Sequence, residues 1–227
     1  TIDTKILNEL INEKTVAIIP VHYGGEPCKM EKLIDIGKKH NLVIIEDCAH
    51  TQGSIYKNKR LGTWGDVGCF SFEEKKGMTT GDGGMIVTDD DKVADLARKF
   101  RWLGINKDTW SREGLNELNY WFYEISELGY KYNMNNLAAS LGLSQLKKLS
   151  WINSRKAEIL KRYLITLEKC HTLTPLLPYS LIKSDQCSYW LFGVRCKKRD
   201  ELMKYLNMMN ISYGMHFTPL NEQPLFN

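Results

Sequence analysis

The stretch Leu42-Val43-Ile44-Ile45-Glu46-Asp47-Cys48-Ala49-His50 decides the fold. Four consecutive apolar residues run directly into a polar cluster, the pattern of a strand in a parallel sheet whose carboxyl end carries chemistry. Upstream, Val16-Ala17-Ile18-Ile19-Pro20-Val21-His22 is a second apolar run and predicts another strand buried on both faces. Between the two, Pro27 stands near a helix start, and Met30, Leu33, Ile34 and Gly37 recur at helical spacing. Strand, helix and strand make a βαβ unit, right-handed by the general rule. Open α/β sheets collect their ligands beyond the carboxyl ends of the strands, so Asp47 and His50 are the first candidate site residues.

Working outward, residues 68–72 and 85–88 read as strands flanking the loop Ser71-Phe72-Glu73-Glu74-Lys75-Lys76-Gly77-Met78-Thr79-Thr80-Gly81-Asp82-Gly83-Gly84. Asp89-Asp90-Asp91 then caps a helix running to about residue 103, with acidic groups on its positive end. Residues 106–127 are polar, aromatic-rich and aperiodic, which predicts a long functional or interface loop. Helices are expected over 135–149 and 152–167, and Pro175 and Pro178 mark a linker. A strand (191–196), a helix (199–209) and a strand (211–217) follow and suggest a second, small α+β domain. The expected division is therefore a large domain over 1–150, a connecting helix over 151–170 and part of a small domain over 171–227.

Composition excludes more than it selects. The 227 residues carry 31 Lys+Arg against 27 Asp+Glu, a net charge of +4. These charges are interspersed, without a basic tail for nucleic acid or a membrane surface. Six cysteines (28, 48, 69, 170, 187 and 196) include no Cys-x-x-Cys pair, and several sit in apolar runs. That pattern suits buried free thiols of a reducing cytosol rather than disulfides or a metal centre. With no segment long enough to span a membrane and no leader-like opening, a cytoplasmic location is expected.

A strand-end carboxylate, an imidazole three residues on, a serine, a lysine five residues after it and a glycine-rich turn are the parts needed to hold pyridoxal phosphate. A lysine amine can bind the aldehyde, a carboxylate can pair with the protonated ring nitrogen, and a hydroxyl with backbone amides can hold the phosphate. Each part has a plainer reading: Asp47 as a turn cap, His50 as a satisfied loop histidine, Asp82-Gly83 as a hairpin turn, and the lysines as solvated charge.

Order and spacing together resemble the DegT/StrS family of pyridoxal-phosphate sugar aminotransferases. The matching stretches are Ile18-Ile19-Pro20-Val21-His22-Tyr23-Gly24-Gly25, Glu46-Asp47-Cys48-Ala49-His50, the segment from Gly68 to Gly84, and Leu128-Gly129-Tyr130-Lys131-Tyr132-Asn133-Met134. The resemblance implies an α/β, fold-type I pyridoxal-phosphate transferase, with an aspartate-aminotransferase-like large domain built on a mainly parallel sheet. It also implies that Lys76 binds the cofactor aldehyde, that Asp47 pairs with the ring nitrogen, that His50 lies by the ring and its hydroxyl, and that Ser71 is a phosphate ligand. Lys131 and Asn133 would reach into the site of a second subunit in a homodimer. Lys75 and His216 would stand on the substrate side.

The loop wording Gly104-Ile105-Asn106-Lys107-Asp108 and Trp121-Phe122-Tyr123-Glu124 looks most like members acting on UDP-linked 4-keto sugars with glutamate as amino donor. The implied partners are thus a nucleotide-linked keto sugar and glutamate. A lysine at position 76 speaks against the dehydratase branch, where a histidine replaces it. The resemblance also has departures: the family's upstream phosphate cup and ring-stacking aromatic have no counterpart before Thr1, the end of its small domain is absent, and Trp190 stands where the family often has histidine. The chain reads as the middle of such a protein. A non-catalytic dimerising relative, or a pyridoxal-phosphate enzyme with another outcome such as sugar dehydration, fits the same residues.

Overall fold

The computed structural model describes residues 1–106, 123–176 and 187–226. After a short helix α1 (Leu7–Leu10), strand β1 (Ala17–Ile18) leads through a 3-10 turn (Tyr23–Gly25) into helix α2 (Met30–His40) and strand β2 (Val43–Asp47). A small hairpin, β3 (Ile55–Tyr56) and β4 (Lys59–Arg60), precedes β5 (Val67–Ser71) and β6 (Gly84–Val87). The main sheet has the order β1-β2-β5-β6. β1 and β2 are parallel, as are β2 and β5, whereas β6 returns antiparallel to β5.

Packing explains the βαβ unit. Met30, Leu33 and Ile36 of α2 are buried with Ile18, Leu42 and Ile44 in one core. The helix comes in close at Gly37, where a Cβ would sit 2.9 Å from Ile44 Cδ1. α2 ends on Asn41 in the left-handed region (φ 53°), with Lys38, Lys39 and His40 complementing its negative end. The other sheet face is open among the described residues: Val16 is 75% and Val43 44% exposed. The apolar runs therefore predicted the strands correctly but not their burial on both sides.

Helix α3 (Asp91–Arg101) starts at the expected acidic cluster, with the Asp90 carboxylate accepting from the N–H groups of Lys92 (2.8 Å) and Val93 (3.3 Å). The two helices expected after residue 135 are a single 32-residue helix, α4 (Asn136–Leu167), capped by Asn135. Nothing in Leu149-Ser150-Trp151-Ile152 breaks a helix, since it holds neither glycine nor proline. Leu149 packs with Phe72, Met78 and Met134, and Leu160 and Leu164 pack with Cys187, Tyr189 and Phe192. α4 thereby joins the lysine loop to the C-terminal segment.

Beyond it, β7 (Leu173–Pro175) pairs antiparallel with β8 (Val194–Cys196), and α5 (Arg199–Met208) follows. Pro175 belongs to a strand rather than a linker, at the end of an edge where its missing N–H costs little. The strand expected over 211–217 does not form; those residues carry no regular secondary structure and are exposed, without ladder partners among the described residues. Residues 107–122, including Trp121 and Phe122, and Pro178 lie outside the described residues. No helix is long and apolar enough to cross a membrane among those described.

Candidate active site

Parallel pairing of β2 with β5 brings their carboxyl ends to one edge, with Asp47 opposite Cys69 and Ser71 two residues further on. The edge is braced from below by Glu46, which is wholly buried. Its carboxylate accepts from the backbone N–H groups of Gly62 (2.9 Å), Trp64 (2.7 Å) and Gly65 (2.8 Å) and from His22 Nε2 (3.1 Å). Burial alone would raise this carboxyl; the hydrogen bonds from His22, Gly65 and Gly62 outweigh it and hold it below the usual range. His22 Nδ1 in turn accepts from the Cys28 N–H at 3.0 Å. Although His22, Glu46 and Cys48 lie close enough to hold a metal ion, both ring nitrogens and the carboxylate already have partners. Burial also pushes the Cys48 thiol far above its ordinary range. The trio is a structural brace.

Above it, Asp47 Oδ1 accepts from the Ala49 N–H at 3.0 Å, which fixes the plane of the carboxylate. His50 Nδ1 accepts from the Gly24 N–H at 3.2 Å, so a neutral ring carries its proton on Nε2. Burial first, and the charge of Lys76 second, push the His50 imidazole down to about 4 against the opposing pull of Asp47. Lys76 is half-buried and forms no ion pair among the described residues. Its ammonium lies 4.6 Å from the centroid of the Trp190 ring. Lys75, by contrast, is exposed and turned toward Glu74 at 3.9 Å.

The C-terminal segment completes the site. Ser188 Oγ donates to the His50 carbonyl, Ser188 N–H to Ser54 Oγ (2.8 Å) and Trp190 N–H to the Gly24 carbonyl (3.1 Å). Gly25 makes this approach possible: at φ 95°, a Cβ there would lie 2.9 Å from Ser188 Oγ. His216 reaches the same cluster, with its ring edge-on to Trp190 at 5.4 Å and its carbonyl accepting from the Tyr23 hydroxyl at 3.3 Å.

Asp47, His50, Lys76 and His216 are thus brought together, and Ser71 lies on the neighbouring strand end, its Oγ accepting from the Glu73 N–H at 3.4 Å. Lys131 and Asn133 show no contact with this cluster among the described residues: Lys131 Nζ sits 3.4 Å from the centroid of Trp102, and the Asn133 side-chain oxygen is buried with no hydrogen-bond partner among those residues. Sequence reasoning missed Ser188 and Gln52. Gln52 Nε2 bridges the Ala49 carbonyl (3.0 Å) and the Ser71 carbonyl (2.6 Å), stitching the two strand ends together. Gln52 follows the His50 motif closely enough to have been singled out; Ser188, 138 residues from its partner, gives no local signal.

All 227 residues match the profile of the DegT/DnrJ/EryC1/StrS aminotransferase family. An uncharacterized protein of Methanocaldococcus jannaschii is 38% identical over 99% of this chain and 58% of its own length. The spore coat polysaccharide biosynthesis protein SpsC of Bacillus subtilis is 35% identical over the same shares. Among solved structures, Helicobacter pylori PseC, an aminotransferase involved in pseudoaminic acid biosynthesis, superposes with TM-score 0.88 at 28% identity, covering 99% of this chain and 58% of that one. The putative sugar aminotransferase Spr1654 of Streptococcus pneumoniae, in its PMP form, gives TM-score 0.86 at 28% identity, with 99% and 61% covered; it is also solved in a PLP form. The chain spans a little under two thirds of the length of these relatives. With its mainly parallel α/β sheet of fold-type I, the chain belongs to the DegT/DnrJ/EryC1/StrS aminotransferase family, whose cofactor is pyridoxal 5'-phosphate.

Proposed function

We propose that the protein is a pyridoxal-phosphate aminotransferase that moves an amino group from glutamate to a nucleotide-linked keto sugar, for surface polysaccharide or amino-sugar biosynthesis. The observation that carries the reading is the Lys76 amine: half-buried, without a carboxylate on it among the described residues, and close enough to His50 for its charge to act there together with those of Asp47 and His216 at the carboxyl edge of the sheet.

The donor set fits the cofactor. Asp47 has one carboxylate oxygen tied to Ala49 and would offer the other to a protonated ring nitrogen. His50, neutral with its proton on Nε2, is a donor suited to a ring hydroxyl. Ser71, at the end of β5, would hold the phosphate. When bound, the cofactor supplies an electron sink for the negative charge left on the donor's α-carbon. Lys76 Nζ, displaced by the donor's amino group and left as the free amine, would take the proton from that carbon and return it at the cofactor's aldehyde carbon; the turn that carries it is closed by the Lys76 N–H on the Glu73 carbonyl. Lys76 also favours transamination over dehydration. A homodimer in which Lys131 and Asn133 serve the partner's site belongs to this reading, as does a cytoplasmic setting, which the six free cysteines support.

The test is reductive trapping. The intact protein is mixed with pyridoxal phosphate, reduced with borohydride and mapped by peptide mass. The label is expected on Lys76 alone, and turnover of a UDP-linked 4-keto sugar with glutamate is expected to vanish in Lys76→Ala while Lys75→Ala retains most of it. A label on Lys75 instead would overturn the assignment.

A further inference from the structure

We propose that Trp190 is a positioning residue: its indole holds the His50 imidazole in one plane and, together with Gly24, in one tautomer, and it ties the lysine loop to the same ring. The two rings are stacked with centroids 3.7 Å apart and planes 6° from parallel. Tyr23 closes on the imidazole edge-on at 5.5 Å. The indole is itself fixed, by its backbone N–H on the Gly24 carbonyl (3.1 Å) and by Nε1–H on the Lys75 carbonyl (2.9 Å).

Trp190 therefore touches Gly24, His50 and the lysine loop at once. Gly24 both gives its N–H to His50 Nδ1 and takes the N–H of Trp190, so the imidazole is gripped from its edge and from its face by groups that are bonded to each other. Among the described residues none accepts from His50 Nε2, which leaves that N–H as the ring's outward donor. The Lys76 ammonium over the same indole and the anchoring of the lysine-loop backbone at Lys75 place the amine relative to that donor. Ser188 anchors the segment separately, through Ser54 and the His50 carbonyl, so loss of the Trp190 side chain need not release the backbone. What His50 donates to rests on the cofactor reading above; that Trp190 positions it does not.

The experiment is an NMR titration of His50 in cofactor-free full protein, reading the nitrogen shifts that separate the two tautomers. Wild type is expected to keep its Nε2-protonated neutral ring down to pH about 4. The charged and titratable groups facing it are Asp47, Lys76, His216 and Tyr23, and the variants keep all four residues. Trp190→Leu opens one face to water, so the midpoint should rise toward the ordinary 6.5 and the tautomer signal should become mixed. Trp190→Phe keeps an aromatic face and should hold the midpoint near 4 while losing the bond to Lys75.

A folded Trp190→Leu protein with unchanged midpoint and tautomer overturns the proposal. Should the leucine variant fail to fold, the phenylalanine variant decides through the bond it loses: amide exchange across the lysine loop faster than in wild type supports the proposal, and unchanged exchange overturns it. Wild-type protein that develops no visible absorbance with pyridoxal phosphate would sink the cofactor reading while leaving this titration intact.

Discussion

His22 Nε2 donates to the Glu46 carboxylate at 3.1 Å with both side chains wholly shut off from water. The carboxylate faces only donors, so Glu46→Gln sets an NH2 group against backbone N–H groups of the 62–65 turn and leaves buried hydrogen-bonding groups unmatched. The expected cost is roughly 3–5 kcal/mol, the range for breaking a buried charged network. Urea unfolding of the variant measures it; a loss within error of zero would mean that the brace is dispensable.

Acid should weaken the fold in two windows. His50 is pushed down to about 4 by burial and by Lys76, from an ordinary 6.5. The unfolded chain therefore takes up its proton first as pH falls, and stability that is complete above 6.5 declines toward 4. Glu46, held below its ordinary 4.5, adds stability that is present above that value and is lost as pH drops through its lower folded value. His50→Gln, which keeps an acceptor for Gly24, should flatten the decline between pH 6.5 and 4 in urea midpoints and leave the steeper loss below. An equally steep decline in that variant would place the proton uptake elsewhere.

How far the sequence carried the structure depended on the range of the interactions. Asp47, His50, Ser71 and Lys76 were legible because each lies on or just past a strand whose apolar run announces it. The turn that carries Lys76 is local, closed by its N–H on the Glu73 carbonyl. The continuity of α4 was not legible, because the pattern break near residue 150 is a change of partner, from Phe72 and Met78 to Cys187 and Tyr189, rather than a helix stop. Trp190 registered only as a departure from the family's wording; that it stacks on a residue 140 positions away is long-range packing that no local period encodes.

Asp47 has its carboxylate plane fixed by the Ala49 N–H. Asp47→Asn keeps that acceptor and the shape but removes the charge that a protonated ring nitrogen requires. The variant should still bind pyridoxal phosphate, with turnover down roughly a thousandfold or more, since losing a charge-assisted pair in a poorly solvated site removes several kcal/mol of barrier lowering. Cofactor absorbance with steady-state kinetics checks both halves. Near-normal transamination would rule out the role.

Lys131 and Asn133 pose the remaining question of which site they serve. Within one chain Lys131 lies over Trp102, away from the Lys76 cluster, and immediately beyond it Asn135 caps α4 by accepting from the Ala138 N–H at 2.9 Å. The face of α4 that follows is apolar and open, with Leu137 83% and Leu141 41% exposed, so a second copy has a surface to cover there. If Lys131 and Asn133 hold the phosphate of the partner's cofactor, Lys76→Ala and the double variant Lys131→Ala/Asn133→Ala are each inactive as homodimers for different reasons. Mixing them and allowing subunits to exchange creates dimers in which one of the two sites regains every group. Random exchange makes half the dimers mixed, so activity should return to about a quarter of wild type. Exchange is confirmed separately by mass-tagged subunits. Full exchange with no recovery would show that the two segments act within one chain and that the site is not shared.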